Sequence, residues 1–124
     1  MIEVALPDDL IPTLRGALER MIPADDDPGA LDLDCDRFVL ELLAPDATLA
    51  GFYEAGLRAL KNEGFDKLSP EAKDRFLAKL EITKERAGWT ISPASFVETL
   101  SQHAIEGFYT HPQGWQVVGF EVTL

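Results

Sequence analysis

Prolines divide this chain, and the pieces between them repeat their apolar residues at helical spacing. A proline beyond the first turn of a helix removes a backbone hydrogen bond and clashes with the preceding turn. The residue before a proline is pushed away from helical geometry. Helices are therefore expected to end before Pro23 and Pro45 and to begin at Pro70 and Pro93. From Pro7 to Pro23, Leu10, Ile11, Leu14, Ala17, Leu18, Met21 and Ile22 share one face at three-and-four spacing. Asp8 and Asp9 occupy the positions of a cap and a first-turn acid, and Arg15 and Arg20 complement the dipole further along. Pro12 falls early enough for the first turn.

The same reading continues down the chain. Leu31, Leu33, Phe38, Val39, Leu42 and Leu43 mark a second, shorter helix that Pro45 ends. A third starts near Asp46 with Leu49, Phe52, Tyr53, Gly56, Leu57 and Leu60 on one stripe, and Lys61, Asn62 and Gly64 close it. Ser69-Pro70-Glu71 combines an N-cap, a first-position proline and an acid, opening a fourth helix with Phe76, Leu77 and Leu80 inward. Ser92-Pro93 repeats the device for a fifth, whose stripe is Phe96, Val97, Leu100, Ala104 and Phe108. The tail THPQGWQVVGFEVTL changes to glycines and β-formers, and a short strand there would pair with Ile2–Leu6. A lone pair of strands is weak without a helix beneath it. The expected fold is mostly α: about five amphipathic helices in one compact domain over residues 1–124, with 109–124 as an irregular or short-strand arm.

Charge narrows the partners. Twenty-two acidic residues against eleven basic ones leave a formal charge of −11. Nucleic-acid binding depends on Lys and Arg that displace counterions, and this chain offers few. Anionic lipid is disfavoured for the same reason. An acidic surface suits a basic protein partner. No apolar run reaches the length of a membrane span. The opening MIEVALPDDL has no basic region, long apolar segment or twin arginine, so a cytoplasmic location is expected. The single cysteine, Cys35, allows no internal disulfide, and its neighbours Asp32, Asp34 and Asp36 disfavour a reactive thiolate.

Candidate chemistry is sparse. Asp25, Asp26 and Asp27, then Asp32, Asp34 and Asp36, offer oxygen ligands, but the calcium-loop template fails. Counted from Asp32, the glycine and glutamate positions hold Arg37 and Leu43; counted from Asp25, the glycine position holds Ala30. These acids read instead as a solvated joint whose later members cap the second helix. His103 and His111 lack partners at a metal-ligand spacing. Ser69, Ser92 and Ser95 sit at helix starts, and no nucleophile elbow, phosphate loop or dinucleotide fingerprint is present. No catalytic, cofactor-binding or metal-binding residue is assigned. A small stand-alone enzyme or ligand-binding domain using His103 or His111 stays open as an alternative, as does a self-associating homodimer.

The richest surface is the arm. Gly107-Phe108-Tyr109-Thr110-His111-Pro112, Gly114-Trp115 and Gly119-Phe120 place four aromatics in fourteen residues. Such residues are enriched at binding hot spots. The expected partner-interface residues are Phe108, Tyr109, His111, Trp115 and Phe120, with the alternative that they fold back over the helices.

Two segments resemble a known family. Ile22-Pro23-Ala24-Asp25-Asp26-Asp27-Pro28-Gly29-Ala30, following an amphipathic helix, is similar to the I-P-A-D-x-x-P-G-A element of the gluconate 2-dehydrogenase subunit 3 family. The run Gly107-Phe108-Tyr109, Pro112, Gly114-Trp115 and Gly119-Phe120 is similar to that family's G-Y-Y…P…G-W…G-F ending. The resemblance implies a small, non-catalytic accessory subunit of a sugar or polyol dehydrogenase. Its partner would be a large flavoprotein subunit holding FAD, often with a cytochrome c subunit, and its task folding support and, with a twin-arginine signal, export. This sequence departs from the pattern in lacking that signal and in shortening a Gly-Gly-Asn insert between Pro112 and Trp115. A periplasmic location would then require carriage by the partner.

Overall fold

The computed structural model describes residues 5–111. Five α-helices occupy them: α1 (Ile11–Met21), α2 (Cys35–Leu43), α3 (Ala47–Asn62), α4 (Pro70–Glu81) and α5 (Pro93–Thr110), with 3-10 turns at Asp8–Leu10 and Phe65–Lys67. Among the described residues there is no strand. The strand pairing expected between the tail and Ile2–Leu6 falls mostly outside them; Leu6 itself is buried in the core.

Three helix starts follow the local chemistry of the sequence. Asp46 accepts a hydrogen bond from the Leu49 N–H at 3.0 Å. Ser69 accepts one from the Ala72 N–H and Ser92 one from the Ser95 N–H, each at 3.2 Å. Pro70 and Pro93 are the first residues of their helices, where a missing N–H costs nothing.

Two starts correct the expectation. α1 is entered through a 3-10 turn, and neither Asp8 nor Asp9 caps it. Asp9 is drawn instead to Arg58 and Lys61 on α3. α2 begins at Cys35 rather than at Leu31, because Leu31 and Leu33 belong to the turn before it. Asp34 at its N-cap is left-handed, with φ of 57°, and makes no side-chain cap. The other acids are engaged elsewhere: Asp32 with the Gly29 N–H at 2.9 Å, and Asp36 with Arg15.

The joint between α1 and α2 folds back on itself. The Ala30 N–H donates to the Ile22 carbonyl at 2.8 Å, closing a loop over Pro23–Gly29. Gly29 lies flat on the chain it returns to: a Cβ there would sit 2.5 Å from the Ala24 nitrogen and 2.7 Å from the Ile22 oxygen. Both obstacles are backbone, so no larger residue fits without moving the loop. The Asp27 N–H donates to Asp25 at 2.9 Å, stiffening the outer turn.

α5 packs against each of the other four helices and forms the centre of the molecule. Its inward stripe is the one expected: Phe96, Val97, Leu100, Ala104 and Phe108 are all buried. Phe96 enters over Gly56 of α3, where a Cβ would meet its ring at 2.3 Å. Tyr53 and Phe96 meet edge to face at 5.7 Å, with Phe52 and Trp89 alongside. Exposed ion pairs clip neighbouring elements together, Arg20 to Asp74 and Arg86 to Glu63 among them.

Candidate partner-binding surface

The expected interface residues separate once placed. Phe108 lies on the inner stripe of α5 and is 5% exposed, so its ring belongs to the core and is not offered to a partner. Tyr109, one residue on, turns outward and is 41% exposed. His111 caps the end of α5, its N–H donating to the Phe108 carbonyl at 3.3 Å. Trp115 and Phe120 lie outside the described residues.

The structure adds apolar surface that the sequence reading missed. Ile82 is 83% and Ile105 45% exposed, and with Tyr109 they are the exposed large apolar side chains of the described residues. A groove of about 330 Å³ runs where α1, α4 and α5 meet, lined by Arg20, Met21, Asp74, Ala78, Val97 and Ser101 among others. Arg20 grips Asp74 across it with two hydrogen bonds, at 2.8 and 3.0 Å. Ile105 carried one sequence signal: it stands four residues from Ser101 and Tyr109 and off the buried stripe of α5.

The histidine alternative meets a specific geometry. Tyr53 Oη and His103 Nδ1 are 2.6 Å apart, and the two rings stack at 5.7 Å. Burial, aided by the nearby Glu106 carboxylate, raises the Tyr53 pKa, so the phenol keeps its proton. The Nδ1 atom of His103 is thereby occupied in satisfying a buried hydroxyl. Cys35 is likewise buried, its thiol pushed up to about 11 by burial and then by Asp36 and Asp34. Such a thiol is no nucleophile near neutrality. Among the described residues, no three His, Cys, Asp or Glu side chains converge as a metal site. No helix among them is long and apolar enough to cross a membrane.

The sequence model of one family, gluconate 2-dehydrogenase subunit 3, matches residues 8–121 of the chain. The chain belongs to the gluconate 2-dehydrogenase subunit 3 family. No curated protein and no solved structure matches it. Membership in the gluconate 2-dehydrogenase subunit 3 family implies a subunit of a dehydrogenase complex. It also gives the folded joint its meaning: the Ile22–Ala30 element that resembles the family's is a loop in which Gly29 is sterically required and Ala30 returns to Ile22. The aspartates between them are tied into the turn or exposed to water.

Proposed function

We propose that this chain is a non-catalytic accessory subunit that binds the flavin-carrying large subunit of a sugar or polyol dehydrogenase complex and supports its folding. The observation that carries this reading is the family match, which spans the helical body and most of the arm. Two features support it. The exposed Ile105 and Tyr109 side chains lead along α5 toward the aromatic arm, and the formal charge of −11 complements a basic partner surface. FAD would reside in the large subunit, and a cytochrome c subunit would accept its electrons. The compartment is that of the partner: cytoplasmic for a complex that stays inside, periplasmic for one that carries this chain out.

The test is expression of the large subunit in its native host with and without this chain. With it, a soluble, flavin-loaded dehydrogenase co-purifies with the tagged small subunit. The reading fails if the large subunit is equally soluble, equally flavin-loaded and unassociated when both are present.

A further inference from the structure

The connection between α4 and α5 depends on one carboxylate. Its base is clamped, because the Ala94 N–H donates to the Thr83 carbonyl at 2.8 Å. Over residues 84–91, no backbone hydrogen bond reaches another element among the described residues. The side-chain hydrogen bonds of that stretch all end on Glu63. Arg86 gives its Nε–H to the two carboxylate oxygens at 3.1 and 3.0 Å and an Nη2–H at 2.8 Å. Trp89 gives its indole N–H at 2.7 Å. A tight turn brings both side chains to the same acid. The Trp89 N–H donates to the Arg86 carbonyl at 3.1 Å, and Gly88, the third residue of the turn, has φ of 85°.

Helix chemistry does not account for a glutamate at this position. Glu63 is the C-cap of α3, at the negative end of the helix dipole, where a carboxylate is disfavoured. The three N–H donors of the connection do account for it. Both donating side chains also lie against rings of the neighbouring helices. The Arg86 guanidinium is 5.5 Å from the centre of the Phe76 ring, and the Trp89 ring is 6.1 Å from that of Phe96. Trp89 and Ile91 are the apolar contacts of the stretch with the core. The stretch has room to move, since it curls round an open hollow of about 620 Å³ that Lys84, Arg86, Trp89 and Ile91 help to line.

We propose that residues 84–91 form a lid that opens as a unit while the five helices stay folded, with the Glu63 carboxylate as its catch. Latched, Arg86 and Trp89 cover Phe76 and Phe96; opened, both leave those rings together. A segment without backbone ties to its surroundings opens at lower cost than the helices do, and the catch sets how often. This device goes beyond the accessory role and does not depend on it.

Trypsin under native conditions reads the lid, since Lys84 and Arg86 lie inside it and cleavage tracks the population of the open form. Glu63→Ala is expected to speed cleavage after Arg86 roughly fivefold or more, because charge-assisted hydrogen bonds are lost. Glu63→Gln, which keeps one acceptor oxygen, should speed it roughly two- to fivefold. Cleavage after Lys73 and Arg75, within α4, should stay within about twofold of wild type. Asp9→Ala, which cuts an ion pair outside the lid, should leave cleavage after Arg86 within about twofold. In a Trp115→Phe background Trp89 is the lone tryptophan, and acrylamide should quench it more strongly once Glu63 is replaced. Cleavage after Arg86 within about twofold of wild type in Glu63→Ala would show that packing of Trp89 and Ile91 holds the stretch, and would refute the catch. Equal acceleration after Arg86 and after Lys73 would mean that the helices open too, and would refute the lid. Faster cleavage with unchanged quenching would mean that Arg86 comes away alone, which overturns the lid as well. Glu63→Gln, scored by the same twofold line, decides the matter if the alanine variant does not fold.

Discussion

Tyr53 and His103 are fifty positions apart and end 2.6 Å from each other. Their bond is unequal, because the phenol is buried in the core and the imidazole is only half-buried. Removing the hydroxyl leaves a nitrogen that water can reach, whereas removing the imidazole strands a buried hydroxyl. Tyr53→Phe is therefore expected to cost about 1 kcal/mol or less and His103→Leu about 1–3 kcal/mol. The double substitution should cost less than the sum, as urea titration of the four proteins will show. Equal costs for the two single substitutions would mean that the hydroxyl finds another partner once the imidazole is gone. At the same scale Gly29 and Gly56 are steric requirements, one against backbone and the other against the Phe96 ring.

Helices α3, α4 and α5 start on side-chain caps, and α2 does not. The serine caps at Ser69 and Ser92 each satisfy a backbone N–H that otherwise has no partner, so Ser→Ala at either should cost about 1 kcal/mol. Asp34 stands at the equivalent position of α2 but is held at φ of 57°. Left-handed backbone disfavours a side chain and suits glycine. Asp34→Gly is thus expected to leave the melting temperature unchanged or raise it, while Asp34→Ala lowers it. A cost for Asp34→Gly comparable to that of Ser69→Ala would show that the aspartate does act as a cap. The contrast identifies a short acid that turns the chain rather than one that ends a helix.

For the whole molecule, ion pairs between elements couple stability to acid. Arg58 and then Lys61 hold Asp9 below its ordinary pKa of 3.8, and Arg20 does the same for Asp74. Arg86, with Trp89 helping, holds Glu63 below its ordinary 4.5. A carboxylate with a depressed folded-state pKa binds protons more readily when unfolded. Its contribution is present above the ordinary value and is lost as pH falls through the folded one. Protonation of other acids meanwhile relieves the repulsion of a chain with charge −11. Stability should therefore hold or rise from neutrality to about pH 5 and fall below about pH 4. Urea midpoints across that range will test this, and Glu63→Gln should make the acid-side decline shallower. The pairs are exposed, so each effect is small.

The ends of α1 and α2 and the starts of α3, α4 and α5 were legible in the sequence because those signals are local; the starts of α1 and α2 were not. Pro23, Pro45, Ser69-Pro70 and Ser92-Pro93 act within a turn or so of themselves, and the stripes of α3 and α5 need only the helical period. The family was legible too, since the order Ile22–Ala30 and the Gly-Trp and Gly-Phe pairs of the arm survive as text. Contacts between distant segments were not. Nothing near Asp9 signals Arg58, and nothing near Tyr53 signals His103, for those pairs lie about fifty residues apart. Phe108 and Tyr109 are adjacent aromatics in the sequence. The helical period already put Phe108 on the inward stripe of α5, but only the packing of α5 among four helices decided that Tyr109 and Ile105 stay on the surface. A helix carries its apolar period by itself, but which part of its circumference stays uncovered depends on how many neighbours it has and where they lie.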